Sequence, residues 1–331
     1  MTRAILPERR PVARQLDMLS LDSPVPRQPV LAAWGAGVNS TAMVIELAER
    51  GEPPDAVLLA EMPERPETLE FIPLFRRWMD ERGIFNDTVR YTPKRFKHWP
   101  PYFDLLENLL TNGTLPSISF GRHSCSQKWK IAPQDRWTEN WQPAIDAWSR
   151  GQKVIKLIGY DCSPADNRRY AEREGYDDPR YLFRCPLRDW GWDRDACIER
   201  IRAAGLPVCP KSSCFFCAAM KPHEIRTLPP AYLRLIVLVE ARAAPRLRNV
   251  DGLWRKPIKG RGAGEARPGS MTEFIRAERL LEPREIDRII AEAPRDLVAF
   301  QEAAAGIVLA ERAPLGDWIA RFNAGVERLA A

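Results

Sequence analysis

The amino-acid sequence predicts an α/β protein: a doubly wound, mainly parallel sheet with helices on both faces, followed by a mostly helical C-terminal region that carries a cysteine cluster. Three observations predict it. Short apolar runs bounded by turn residues, VLAAW at 30–34, DAVLLAEM at 55–62 and KVIKLIGY at 153–160, read as buried strands. Segments with helical spacing of apolar residues lie between them, and parallel neighbours need such crossover connections. From Pro207 onward the apolar residues recur at helical spacing, and a cysteine cluster opens that stretch.

Taken in order, residues 1–29 carry prolines at 7, 11, 24, 26 and 29 with little periodicity, and read as an extended or disordered arm. The α/β domain then spans 30–206. Its first strand ends in a glycine-rich turn, and STAMVIELAERG continues as a helix stopped by Gly51. PETLEFIPLFRRWMDERG reads as the next helix, with Pro73 marking a kink or break. Residues 207–331 form the cysteine-cluster and helical region, with helices expected in PPAYLRLIVLVEARAA, EPREIDRIIAEAPRDLVAFQEAAAGIVL and GDWIARFNAGVERLA.

Composition narrows the class. A chain of 331 residues buries a core large enough to dispense with disulfides. No run approaches the roughly 18 apolar residues of a membrane helix, and the N-terminus lacks the apolar core of a secretory signal. A cytoplasmic protein without a membrane partner is expected. The seven cysteines are odd in number and three fall within nine residues, which favours metal or redox chemistry over a disulfide framework. The net charge of +6 is uneven: residues 241–267 hold eight Arg or Lys against Asp251 and Glu265, a local excess that suits either a nucleic-acid contact or a solvated loop.

The first chemical motif is Gly35-Ala36-Gly37-Val38-Asn39-Ser40-Thr41, placed where an open α/β sheet binds ligands. Its glycines let backbone approach an anion, the amino end of the following helix favours phosphate, and Ser40 and Thr41 add hydroxyl donors. It is neither a GxxxxGK[ST] loop nor GxGxxG. It resembles the SGGxDS loop of the adenine nucleotide α-hydrolase superfamily, which contains the PP-loop ATP pyrophosphatases and the phosphoadenosine phosphosulfate reductases. Gly35 stands for the first Ser, Ala36 for a Gly and Asn39 for the Asp, while Gly37 and Ser40 match. The resemblance implies ATP with Mg2+ as ligand, and the loss of a carboxylate at Asn39 bears on cleavage more than on binding.

Two further stretches resemble the reductase-like branch. Glu61-Met62-Pro63-Glu64-Arg65-Pro66-Glu67-Thr68 occupies the place of "DTGxExPET", which puts Glu61 near the nucleotide, although Glu64 and Glu67 equally suit a helix N-terminus. Ile158-Gly159-Tyr160-Asp161 through Arg168-Arg169 is similar to "IGxRxxES.RR", which implies a backbone contact at Gly159 and an oxyanion contact at Arg168, with an ion pair to Asp166 or Glu172 as the plainer role for these arginines.

Cys209, Cys214 and Cys217 form C-x4-C-x2-C, a spacing shared by zinc and iron–sulfur sites. Two residues compete as fourth ligand: His223, giving a zinc site, and Cys125. The stretch Cys125-Ser126-Gln127-Lys128-Trp129-Lys130-Ile131-Ala132-Pro133 resembles the "CCxxRKVxP" motif of iron–sulfur sulfonucleotide reductases. That resemblance implies a 4Fe-4S cluster on Cys125, Cys209, Cys214 and Cys217, with Zn2+ as the alternative, and places Lys128 and Lys130 between nucleotide and metal. His123 beside Arg122 is a further anion-holding candidate. Cys162, Cys185 and Cys197 read as ordinary residues.

No cysteine follows Cys217, so the C-terminal nucleophile of the sulfonucleotide reductases has no counterpart. The superfamily's other chemistry, adenylation of an acceptor followed by sulfur transfer, is the expected reaction, with a nucleic acid or nucleoside as acceptor, 241–267 as its contact and a separate protein as sulfur donor. The alternatives are a reductase that borrows an external thiol, and a non-enzymatic nucleic-acid-binding module with structural zinc.

Overall fold

The computed structural model describes residues 26–96, 99–121, 124–172, 175–260 and 265–330, with side chains described as far as 325 in the last helix. Five strands, β1 (Val30–Trp34), β2 (Ala56–Ala60), β3 (Asn86–Val89), β4 (Val154–Ile158) and β5 (Tyr181–Arg184), form one all-parallel sheet in the order β3-β2-β1-β4-β5. The three strands expected from apolar runs are β1, β2 and β4. β2 is buried at all five positions, as a strand covered on both faces must be.

The alternation of side chains along β1 sends its residues into two cores. Trp34 and Ala32 pack with Met43, Phe75 and Ile201, which come from the helices Val38–Glu49, Pro66–Asp80 and Arg194–Ala203. Leu31 packs with Ala144 and Tyr181, flanked by Trp137 and Trp148, under the helices Ala132–Thr138 and Gln142–Ser149. Pro73 lies inside the Pro66–Asp80 helix, which runs on past it.

A third core belongs to the C-terminal helices Pro230–Ala243, Met271–Ala277, Pro283–Ala303 and Leu315–Ala330. Leu106, Leu109 and Leu110 of the helix Leu105–Asn112, together with Trp129, join that core although they precede β4 in sequence. The C-terminal helices are therefore seated on the insertion between β3 and β4. The long helix Pro283–Ala303 buries Ile286, Ile289, Ala293 and Leu297, a stripe at helical spacing that faces the helix Pro230–Ala243.

Strand order decides where a ligand can enter. The chain leaves β1 for β2 on one side and returns at β4 on the other, so the carboxyl ends of β1 and β4 form the topological switch point where an open sheet of this order leaves a crevice. Residues 35–41 follow β1 and Gly159 follows β4, which sets both at that crevice.

Candidate functional site

The glycine-rich turn is built for close approach. Ala36 is fully buried with φ 54°, a left-handed conformation that costs an L-residue about 1–2 kcal/mol and that glycine adopts freely. Gly37 is the extended N-cap of the helix Val38–Glu49 and supplies no side-chain cap, so the first amides of that helix are not claimed by a capping group. The Gly35 amide donates to Ser40 Oγ at 3.2 Å, and Ser40 Oγ lies 3.3 Å from the Gly37 carbonyl, so this hydroxyl braces the turn. A Cβ at Gly159 would meet Ser40 N at 2.8 Å and Ser40 Cα at 2.9 Å, so the loop after β4 rests directly on the turn.

Asn39 Nδ2 donates to Asp166 Oδ2 at 3.1 Å, and Asp166 is buried. Asn39 Oδ1 is buried with no hydrogen-bond partner among the described residues. The expectation for Thr41 is corrected. Its hydroxyl is fully buried, accepts from Trp34 Nε1 at 3.0 Å and lies 3.8 Å from Cys209 Sγ, so it points into the core under the helix and away from a phosphate.

The cysteine-bearing segment forms the opposite wall. A Cβ on Gly37 would lie 3.6 Å from Ser212 Cβ. Ser212 Oγ donates to Glu64 Oε2 at 3.1 Å, Cys214 bridges Glu64 in antiparallel fashion, and Phe215 N donates to the Pro63 carbonyl at 3.1 Å. Lys130 Nζ stands 3.8 Å from Glu64 Oε1. Burial raises the Glu64 carboxyl, against which Lys130 and the Ser212 hydroxyl pull it down. Ser213 Oγ, like Asn39 Oδ1, is buried and unpartnered among the described residues. Glu224 holds the same segment from behind, accepting from Lys211 Nζ at 3.1 Å and from Arg65 Nη1 at 3.3 Å.

Cys125, Cys214 and Cys217 pack against one core and lie within electrostatic reach of each other. Burial raises the thiols of Cys214 and Cys217, with Glu64 adding to the effect at Cys214 and Lys130 opposing it at both. Cys125 Sγ is 3.1 Å from Ser117 Oγ. Cys209 does not join them, which corrects its place in the proposed ligand set: it is buried in the core beneath the sheet beside Thr41, where burial pushes its thiol up to about 11. Among the described residues no group of three or more His, Cys, Asp or Glu side chains already encloses a metal position. His223 is exposed on the short helix Pro222–Arg226, and His123 lies outside the described residues.

The remaining candidates are dispersed. Lys128 Nζ sits 4.9 Å from the Tyr91 ring centre and 4.8 Å from that of Trp129, and desolvation lowers its pKa. Arg168 is exposed on the helix Pro164–Ala171, while its neighbour Arg169 pairs with Asp166 at 3.0 Å. Glu61 is exposed past the end of β2, and the half-buried carboxyls of Asp104 and Glu107 are raised chiefly by desolvation, with Glu61 adding a smaller push. In the basic segment, Arg242 donates to the Leu110 carbonyl at 3.2 Å, Lys256 pairs with Asp251 at 2.7 Å and Arg267 stacks on Trp254 at 4.5 Å, so these three cations serve the fold. Residues 261–264 of that segment lie outside the described residues, as do residues 1–25 of the arm.

Sequence reasoning missed Ser212, Ser213 and Asp166 as neighbours of the turn. The Pro-Lys-Ser-Ser run ahead of Cys214 was the available signal, since small hydroxyl residues beside a glycine turn allow close packing. No protein-family model matches the chain, and no curated protein matches its sequence.

Proposed function

We propose that this chain is a PP-loop enzyme of the phosphoadenosine phosphosulfate reductase-like branch, doubly wound about its parallel sheet, that binds ATP with Mg2+ at residues 35–41 and activates a nucleic acid or nucleoside for sulfur transfer. One observation carries the reading: a methyl placed on Gly37 would lie 3.6 Å from Ser212 Cβ, so the phosphate-type turn lies beside the segment that bears Cys214 and Cys217. Two motifs separated by more than 160 residues meet at the carboxyl-end crevice where an open sheet takes its ligand.

In this reading the amides that open the helix Val38–Glu49 hold phosphate oxygens, and the unpartnered Asn39 Oδ1 and Ser213 Oγ find partners in the ligand or its water. The carboxylate absent at position 39 is supplied beside it by buried Asp166. An acceptor oxygen attacks the α-phosphate and pyrophosphate leaves; a sulfide-level sulfur delivered by a donor protein then attacks the activated atom, forming its bond to sulfur as AMP leaves with the electron pair of the bond to oxygen and the sulfur's proton passes to solvent. Lys130 acts on both the Cys214 and Cys217 thiols and Lys211 on Cys217, Lys128 lies on the same helical run as Lys130, and among the described residues Arg168 is exposed after β4 while Arg169 is held by Asp166.

Cys125, Cys214 and Cys217 suit a 4Fe-4S cluster by donor type and by shared burial, with Zn2+ as the other metal their chemistry accepts. They would have to draw together to ligate it, since no such group is already closed. A cluster bound there would supply a protected carrier for sulfide or electrons.

Anaerobic purification with metal analysis, together with calorimetric titration of ATP, tests the proposal. Iron with visible charge-transfer absorption and saturable ATP binding support it. Zinc with no ATP binding selects a non-enzymatic module, and sulfite release from adenylyl sulfate with added thioredoxin selects a reductase.

A further inference from the structure

A second concave surface lies beside β3, at the outer edge of the sheet. The groove spans about 460 Å³ between the strand end Thr88 to Arg90, the helix carrying Arg136 and Trp137, and Trp141 at the start of the next helix. That volume falls within the usual range of small-ligand sites. Trp137 and Trp141 stand with ring centres 5.5 Å apart and both are only partly buried, so each keeps indole surface towards the groove. Arg90 and Arg136 are exposed at its rim.

The acids of this neighbourhood are already occupied. Asp135 pairs with Lys156 at 2.9 Å, Glu139 with Arg180 at 2.6 Å, and Asp87 accepts from Trp137 Nε1 at 2.8 Å. The chain that leaves β3, Arg90-Tyr91-Thr92-Pro93-Lys94-Arg95, follows Arg90 with two more cations and no acid. The rim is therefore cationic around an aromatic floor, which is the chemistry of a single-stranded nucleic-acid platform.

The groove also leads to the thiols. Ser124–Ser126, Gln127–Ile131 and Ala132–Thr138 follow one another without a break, so the helix that lines the groove is the one that carries Lys130, Lys128 and Cys125. Tyr91, next to Arg90, receives Lys128 Nζ on its face. A basic and aromatic track thus runs from Trp141 to the wall of the candidate site.

We propose that this groove takes an unpaired stretch of nucleic acid, a base stacking on Trp137 and Trp141 while adjacent phosphates meet Arg90 and Arg136. A splayed base presents the π-face that an indole needs, and a paired base inside a duplex does not. The inference rests on the nucleic-acid acceptor proposed above and identifies it as single-stranded.

Fluorescence anisotropy of the full chain without ATP, using labelled DNA and RNA oligonucleotides of about ten nucleotides and the matching duplexes, tests it. Single strands of either sugar should bind at least about tenfold more tightly than duplex. Trp141→Ala should weaken single-strand binding about tenfold, and Arg136→Gln should weaken it and reduce the salt slope by about 0.7. Arg136 is exposed, so its variant folds whatever becomes of Trp141→Ala, and circular dichroism checks the latter. Wild-type binding by Arg136→Gln and by folded Trp141→Ala, or equal affinity for duplex, overturns the proposal. ATP titration of the same samples is a separate readout: loss of the nucleotide reading leaves oligonucleotide binding measurable, and failure of the groove leaves ATP binding intact.

Discussion

Gly159→Ala is the substitution that tests whether the turn after β1 is a shaped site or an ordinary connection. The added methyl would lie 2.8 Å from Ser40 N and 2.9 Å from Ser40 Cα, against backbone rather than a flexible side-chain end. Reaching ordinary contact requires a separation of about half an ångström more. The turn is braced by Ser40 Oγ between Gly35 and Gly37, so the displacement passes to the amides that would hold phosphate. Overpacking of this kind costs about 1–3 kcal/mol in stability, and losing one amide hydrogen bond to a charged phosphate oxygen, about 1.5 kcal/mol, should weaken ATP about tenfold. Calorimetric titration with ATP and thermal melting read the two effects. Gly35→Ala is the matched comparison, because its added Cβ meets nothing within 4 Å. It should melt as the wild type does and keep its ATP affinity, because the loop that the turn resembles carries a serine at this position. A Gly159→Ala protein that binds ATP within about twofold of wild type, or a Gly35→Ala protein weakened as much as Gly159→Ala, would refute the reasoning.

The remaining predictions concern the thiols, a titrating pair and a buried carboxylate. Cys214→Ser should abolish iron incorporation while Cys209→Ala retains it, as measured by iron per chain after anaerobic purification, because Cys209 belongs to the core beside Thr41; iron lost equally from both would restore Cys209 as a ligand. Burial, with the neighbouring carboxylates adding to it, raises Glu107 to about 7 and Asp104 to about 6. A raised carboxyl favours the protonated fold, so the stability is present below the unfolded pKa of about 4.5 and declines as pH rises to about 7. For Glu107 the decline is about 2–3 kcal/mol; urea titrations at pH 5 and 8 should show it, and Glu107→Gln should remove most of it. Glu240 accepts from Leu253 N at 2.7 Å, Met271 N at 2.9 Å, Thr272 N at 2.8 Å and Ser270 Oγ at 2.5 Å. Glu240→Gln turns an amide NH2 toward these donors and should cost about 3 kcal/mol by chemical denaturation; a loss below about 1 kcal/mol would show that the loop at Leu253 is held by other contacts.

The fold was legible where local pattern and tertiary role coincide. β1, β2 and β4 are the inner strands of the sheet, and their continuous apolar runs state that burial directly. β3 and β5 are its edges. Asn86–Val89 has one buried residue of four and reads as NDTV, and Tyr181–Arg184 is equally short, so neither has a periodicity to detect. The helix Leu105–Asn112 shows an apolar face, but only the tertiary structure discloses that this face belongs to the C-terminal core. Within the site, the turn was found because glycine spacing is a backbone property. Thr41 and Cys209 were misplaced because the direction of a side chain depends on what packs opposite, here Trp34 and the helix over the sheet. Ala36 shows the converse. As a residue it departs from the glycine of the resembling loop, yet its φ of 54° keeps the backbone shape that the glycine would give.

That retained strain bears on what the turn is for. Ala36 shares its left-handed backbone with Arg255 and Arg279 elsewhere in the chain; what sets it apart is that it lies in the same turn as Asn39, whose Oδ1, like Ser213 Oγ, is buried without a partner among the described residues. These atoms come from the two walls that meet at Gly37 and Ser212. Each wall is independently fixed, one by Gly159 resting on Ser40 and Asp166 accepting from Asn39, the other by Glu64 and Glu224 holding Ser212 and Lys211. Rigid walls that leave polar atoms unsatisfied at their junction, in the crevice beyond the strand ends, are what a preorganised ligand site requires.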